Sequence, residues 1–260
     1  MKVGVFDSGL GGLTVVHSML KHLCGVEIYY LADTLNAPYG DKSKKQILDF
    51  SIAITQHFID SFEIDALVIA CNTATSASIK ELREIYPNLI IVGTEPAIKP
   101  AFKVSKSKKV GILATKATLS GEKYQSLVQN LSDEYDIEVF EQACVGLVQE
   151  IEKGNINTPK TKEMLKGWLT PMREANVDAI VLGCTHYPLV GEVIKEVMEY
   201  DISLLESSDA ISKRVLTLLE AKGHINIGDN ILKVSSTGDI EASMVELILG
   251  KKYEIERVRL

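Results

Sequence analysis

The chain has 260 residues, 46% hydrophobic and 24% charged, enough to bury one large core or two modest ones. A net charge of −7 and scattered basic residues argue against a nucleic-acid or anionic-membrane surface, and no apolar run is long enough to cross a bilayer. With no signal-peptide layout at the N-terminus, the expected location is cytoplasmic. There, Cys24, Cys71, Cys144 and Cys184 are reduced thiols, and without a CxxC spacing no metal site is expected.

In chain order, Val3–Phe6 reads as a buried strand and Leu13–Leu23 as the helix after it. Glu27–Ala32 is a second strand. Ile47, Phe50, Ile54, Phe58 and Ile59 recur at helical spacing and predict a helix across Ser43–Phe62. Ala66–Ala70 follows as a third strand, then a helix from about Ser76 to Ile85 and a strand at Leu89–Val92. Such βα alternation predicts an α/β fold with parallel sheets flanked by helices on both faces.

The pattern then repeats. Lys109-Val110-Gly111-Ile112-Leu113 parallels Lys2-Val3-Gly4-Val5-Phe6, and Asp178-Ala179-Ile180-Val181-Leu182-Gly183-Cys184-Thr185 parallels Asp65-Ala66-Leu67-Val68-Ile69-Ala70-Cys71-Asn72. Two pseudo-symmetric α/β domains are expected, residues 97–208 forming the second. Residues 1–96 and 209–260 form a discontinuous first, to which a helix near Ile211–Lys222 and the segments Leu232–Ser235 and Ser243–Leu249 return.

Ligands of open parallel sheets bind beyond the carboxyl ends of the strands. Cys71 and Cys184 each sit at such an end, just before an expected helix, so two facing domains would bring two thiols to one interdomain cleft. Two acid/base groups on opposite faces of a carbon, one thiolate and one thiol, are what inversion of a stereocentre requires. A thiol of ordinary pKa about 8.5 needs help to ionise near neutrality, from a helix N-terminus or from nearby proton-exchanging groups. Asp7, ending the first strand, and His186, two residues after Cys184, are the nearest candidates; a helix cap and a surface histidine are their plainer readings. Cys24 and Cys144 lack an equivalent polar setting and read as apolar packing.

Competing motifs fail. The third glycine of a dinucleotide loop after Gly9-Leu10-Gly11 would fall at Thr14, no G-K-[ST] is present, and Ala77 and Val190 stand where a cysteine phosphatase needs arginine.

Val5-Phe6-Asp7-Ser8-Gly9-Leu10-Gly11-Gly12, Ala37-Pro38-Tyr39-Gly40, Ala70-Cys71-Asn72-Thr73-Ala74 and Gly183-Cys184-Thr185-His186-Tyr187-Pro188-Leu189 together resemble the bacterial glutamate racemases. The resemblance implies interconversion of L- and D-glutamate without pyridoxal phosphate or metal, supplying D-glutamate for peptidoglycan, by a homodimer. It implies that Cys71 acts on the D-enantiomer's proton and Cys184 on the L-enantiomer's, assisted by Asp7 and His186. Ser8, Asn72, Thr73, Thr185, Thr115 and Thr118 would line the substrate, and Pro38, Tyr39 and Gly40 would sit at its distal carboxylate. A further acid lies in Val148-Gln149-Glu150-Ile151-Glu152-Lys153-Gly154; Glu152 fits the spacing to the glycine, with Glu150 close enough to remain an alternative. Val145 stands where many members carry proline. Aspartate and hydantoin racemases share the two-thiol logic. From other classes, a non-catalytic amino-acid-binding module and a protein with a Cys71–Cys184 redox disulfide stay open.

Overall fold

A computed structural model describes residues 1–260. The chain begins with β1 (Lys2–Asp7), α1 (Leu13–His22), β2 (Glu27–Ala32), α2 (Lys44–Phe62), β3 (Ala66–Ile69), α3 (Asn72–Ile85) and β4 (Ile90–Gly93). It continues through α4 (Ile98–Val104), β5 (Lys109–Ala114), α5 (Lys116–Leu119), α6 (Glu122–Tyr135), β6 (Glu138–Ala143) and α7 (Leu147–Glu152). Then come α8 (Pro159–Glu174), β7 (Ala179–Gly183), α9 (Gly191–Met198) and β8 (Ser203–Leu205). The chain closes with α10 (Ser208–Ala221), β9 (Ile231–Ser236), α11 (Ala242–Leu249) and β10 (Ile255–Arg257). It divides into two units, Met1–Thr94 with Ser207–Leu260, and Glu95–Glu206.

The first unit is built on a six-stranded sheet of order β10-β9-β2-β1-β3-β4, every pairing parallel. Helices cover parallel sheets on both faces, so their strands are apolar throughout rather than alternating. Val3, Val5, Phe6, Leu67, Val68 and Ile69 are accordingly buried without exception. The second unit carries a parallel sheet of order β6-β5-β7-β8. In both sheets the first strand lies inside, the chain steps to one side, then crosses to the other. That reversal is a topological switch point, and it opens a ligand crevice at the carboxyl ends of the strands flanking it. Those ends carry Asp7 and Cys71 in the first unit, Thr115 and Cys184 in the second.

Local chemistry sets the element boundaries. Ser43 and Gln46 form a reciprocal capping box at the start of α2, whose end is closed by Glu63 in the left-handed region at φ 53°. Thr158 caps α8, which opens on Pro159. The repeated aspartates tie loops to the sheets: Asp65 accepts from the Lys2 N–H at 2.8 Å, and Asp178 from the Ser105 hydroxyl at 2.6 Å and the N–H groups of Lys106 and Ser107. Part of the sequence repeat is therefore structural rather than chemical.

Two expectations need correction. The helix after Cys71 begins at Asn72 rather than near Ser76, because Asn72, Thr73 and Thr75 are buried against the sheet and add a further turn. No α-helix directly follows Cys184. In an α-helix capped there, residue 188 would donate to the Cys184 carbonyl, but Pro188 has no N–H. Tyr187 donates instead at 3.1 Å, which starts a 3₁₀ turn over Tyr187–Val190, and α9 begins only at Gly191. After Cys71, by contrast, the Thr75 N–H closes the α-helical bond at 2.8 Å.

Candidate active site

In the first unit, β1 delivers Asp7 fully buried to the sheet's carboxyl edge. Its Oδ1 accepts from the Ser8 N–H at 2.6 Å and the Ser8 hydroxyl at 3.2 Å, and its Oδ2 accepts from the Gly12 N–H at 2.5 Å. Gly12 is required at this point, since a Cβ there would lie 2.7 Å from the Asp7 Cβ and 3.0 Å from the Tyr30 ring. Ser8 Oγ lies 3.9 Å from the Cys71 sulfur, so a line of polar groups runs from Asp7 through Ser8 to the thiol.

Cys71 caps α3, its sulfur accepting from the Ala74 N–H at 3.4 Å. The unpaired N–H groups and dipole of a helix start favour negative charge on that sulfur. Beside it Asn72 and Thr73 are buried, and the Asn72 Nδ2 has no partner within the protein. A buried amide donor left unpaired is costly unless a ligand accepts from it.

The Pro38-Tyr39-Gly40 segment forms a 3₁₀ turn over Tyr39–Asp41. Pro38 and Gly40 are half-buried, and Tyr39 is buried with its hydroxyl donating to Asp33 at 2.5 Å. Burial, then the Asp33 carboxylate, pushes the phenol far above its usual range, so it remains a donor.

In the second unit, Cys184, Thr185 and His186 are buried beyond β7. The His186 Nδ1 lies 3.8 Å from the Cys184 sulfur, while its Nε2 meets the Glu152 carboxylate. Burial acts to lower the His186 pKa, but hydrogen bonds to Cys184 and Glu152 and their charges overcome it, holding the imidazole well above its ordinary value. A raised folded-state pKa gives stability that is fully present below about pH 6.5 and is lost as pH rises through the raised value. Glu152→Gln is therefore expected to bring the His186 titration midpoint down, measured by imidazole NMR, and to flatten that alkaline loss. An unmoved midpoint would assign the effect to Cys184 alone.

Of the two glutamates, Glu152 is the one that meets His186, whereas Glu150 turns away to accept from Lys160 at 2.8 Å and Asn155 at 3.1 Å. Thr115 caps α5, accepting from the Thr118 N–H at 3.2 Å, and the two threonine hydroxyls lie 3.0 Å apart at the end of β5. Val145 is 67% exposed and precedes Gly146, whose φ of 86° is a left-handed turn that opens α7.

The sequence reading missed two features. Asp33, fully buried at the end of β2, accepts from Tyr39, from the Thr237 hydroxyl at 2.8 Å and from the Asn36 amide at 3.0 and 3.1 Å. It ties the 33–41 segment to the end of β9, and the strand-end rule that found Asp7 would have found it. Cys144 is buried as expected of packing, yet it shares its surroundings with Tyr187 and Cys184. No grouping of His, Cys, Asp and Glu could hold a metal ion, and no helix is long and apolar enough to cross a membrane.

Residues 16–215 match the family model described as Asp/Glu/Hydantoin racemase. The chain is 55% identical to the glutamate racemase of Sulfurovum sp. (strain NBC37-1), over 96% of this chain and 94% of the relative. It is 56% identical to that of Aliarcobacter butzleri (strain RM4018), over all of both chains. Among solved structures, glutamate racemase from Francisella tularensis in complex with D-glutamate matches with TM-score 0.84 and 30% identity, covering 99% of this chain and 97% of that one. The Escherichia coli enzyme in complex with L-glutamate and the activator UDP-MurNAc-ala also matches with TM-score 0.84 and 30% identity, covering 98% and 97%.

Proposed function

The chain belongs to the Asp/Glu/hydantoin racemase family, and from that premise we propose that it interconverts L- and D-glutamate by two-base proton transfer through Cys71 and Cys184. The observation that carries this reading is the pair of buried thiols, each at the carboxyl end of a correspondingly placed strand and each beside its own polar partners. With the D-enantiomer, the Cys71 thiolate removes the α-proton and the Cys184 thiol delivers its own to the opposite face. With the L-enantiomer the roles exchange. One proton leaves the carbon and one returns, so the reaction balances without a redox partner.

The two thiols are supported differently. The α3 N-terminus and the Ser8–Asp7 line serve Cys71, whereas His186, backed by Glu152, exchanges a proton with Cys184. Ser8, Asn72, Thr73, Thr115, Thr118 and Thr185 hydrogen-bond the amino acid in this scheme, the unpaired Asn72 amide being the best placed to donate. Because Tyr39 gives its hydroxyl to Asp33, the backbone of the Pro38-Tyr39-Gly40 turn, rather than the phenol, would meet the distal carboxylate. Glutamate is preferred to aspartate because the relatives at 55% and 56% identity are glutamate racemases. A cytoplasmic homodimer supplying D-glutamate for peptidoglycan belongs to the same proposal.

The test is circular dichroism of the purified protein with L-glutamate and then D-glutamate, without added cofactor. Decay of the signal to zero from both sides is the expected result. Decay with aspartate alone would keep the two-base scheme and change the substrate, and no decay with either would favour a binding module.

A further inference from the structure

No step of the proton transfer uses Glu150, yet this charged residue is only 5% exposed, in a helix of six residues. A carboxylate is buried this far only against partners. Its Oε1 accepts from the Lys160 ammonium at 2.8 Å, with the Lys153 ammonium 3.9 Å from the same oxygen, and its Oε2 accepts from the Asn155 amide at 3.1 Å. The backbone repeats the tie, for the Asn155 N–H donates to the Glu150 carbonyl at 2.9 Å. The Asn155 carbonyl in turn accepts from the hydroxyl of Thr161, fully buried in α8, at 2.5 Å. Glu150 thereby fastens α7 to the first turn of α8.

A helix of under two turns is not stable alone, so its orientation comes from what holds it. Leu147 and Ile151, one above the other at i and i+4, bury the apolar face of α7. Apolar burial is non-directional and does not by itself stop a short helix from rolling. At about 100° per residue, Glu150 and Glu152 stand roughly 200° apart around the axis, on opposite flanks of that face. A roll that loosened Glu150 would swing Glu152, whose carboxylate meets the His186 Nε2. The other ring nitrogen, Nδ1, faces the Cys184 sulfur at 3.8 Å.

We infer that Glu150 is a positioning residue for Glu152: its tether to Lys160 and Asn155 sets the roll of α7 at which the Glu152 carboxylate reaches His186. The inference rests on the reading of His186 as the proton partner of Cys184. The Lys160 side chain is 67% exposed, so the ion pair contributes little to stability and its effect is on orientation.

The experiment is an imidazole NMR titration of His186 in Glu150→Ala and in Lys160→Ala, with racemisation of glutamate followed alongside. Both variants are expected to lower the midpoint, Glu150→Ala by about one pH unit, and in that variant kcat should fall about tenfold in both directions with KM little changed. The lost charge acting directly on His186 would give another pattern, since removing the Lys160 cation would raise the midpoint. On a Glu152→Gln background, Glu150→Ala is expected to move the midpoint no further, because the carboxylate it positions is already gone. Lys160→Ala, at an exposed site, carries the test by itself should Glu150→Ala fail to fold. An unmoved or raised midpoint in Lys160→Ala, an unmoved one in Glu150→Ala, or a full additional fall on the Glu152→Gln background would overturn the inference. Absence of racemisation by the wild-type protein would instead overturn the racemase reading, on which the titration midpoints do not depend.

Discussion

Replacing either Cys71 or Cys184 with serine is expected to lower racemisation of glutamate by about 10²–10⁴-fold in both directions, with the fold intact. Serine keeps the size and the hydrogen-bonding geometry of the side chain, but its hydroxyl ionises far too weakly to take an α-proton near neutrality. At position 71 the substitution also keeps the cap of α3, for serine is a good N-cap residue and can still accept from the Ala74 N–H. Melting temperature should therefore separate loss of chemistry from loss of structure. Because the two enantiomers are equal in free energy, kcat/KM must fall by the same factor from either side, whichever thiol is lost. The double variant should be little worse than either single one, since one missing base already stops the exchange. Wild-type turnover by both single variants would end the two-thiol reading.

Asp33→Ala is expected to destabilise the protein by about 3 kcal/mol or more, lowering the melting temperature by roughly 6–12 °C. The carboxylate is fully buried and collects hydrogen bonds from Asn36, Tyr39 and Thr237, so alanine strands three donors at once, two of them buried. The same loss frees the Pro38-Tyr39-Gly40 turn, and KM for glutamate should rise more than kcat falls. Asp33→Asn is the informative companion. It can still accept from Tyr39, but its NH₂ faces another donor, so its effect should lie between alanine and wild type. Scanning calorimetry and steady-state kinetics on both variants check the order. Equal melting temperatures for all three proteins would mean that Asp33 holds nothing in place.

Much of this molecule could be read from the order of its residues. Continuous apolar runs such as Val3–Phe6 and Ala66–Ile69 mark strands buried on both faces, and helical spacing marks Lys44–Phe62, because burial periodicity is written locally. The recurrence of Cys71 and Cys184 at strand ends was equally legible, for it needs only the alternation of strand and helix. What each thiol touches was not. Only the folded chain decides that Glu152 rather than Glu150 reaches His186, because the two glutamates lie two residues apart on one short helix and point in different directions. Only tertiary structure sets Asp33 beneath Tyr39 and Thr237, partners 6 and 204 residues away. The same holds for Cys144, which reads as ordinary packing until β6 and β7 are laid on either side of β5 and bring it to Tyr187. Sequence determines which residues must be buried; which of the buried ones meet is settled by strand order, which brings distant segments to the same carboxyl edge.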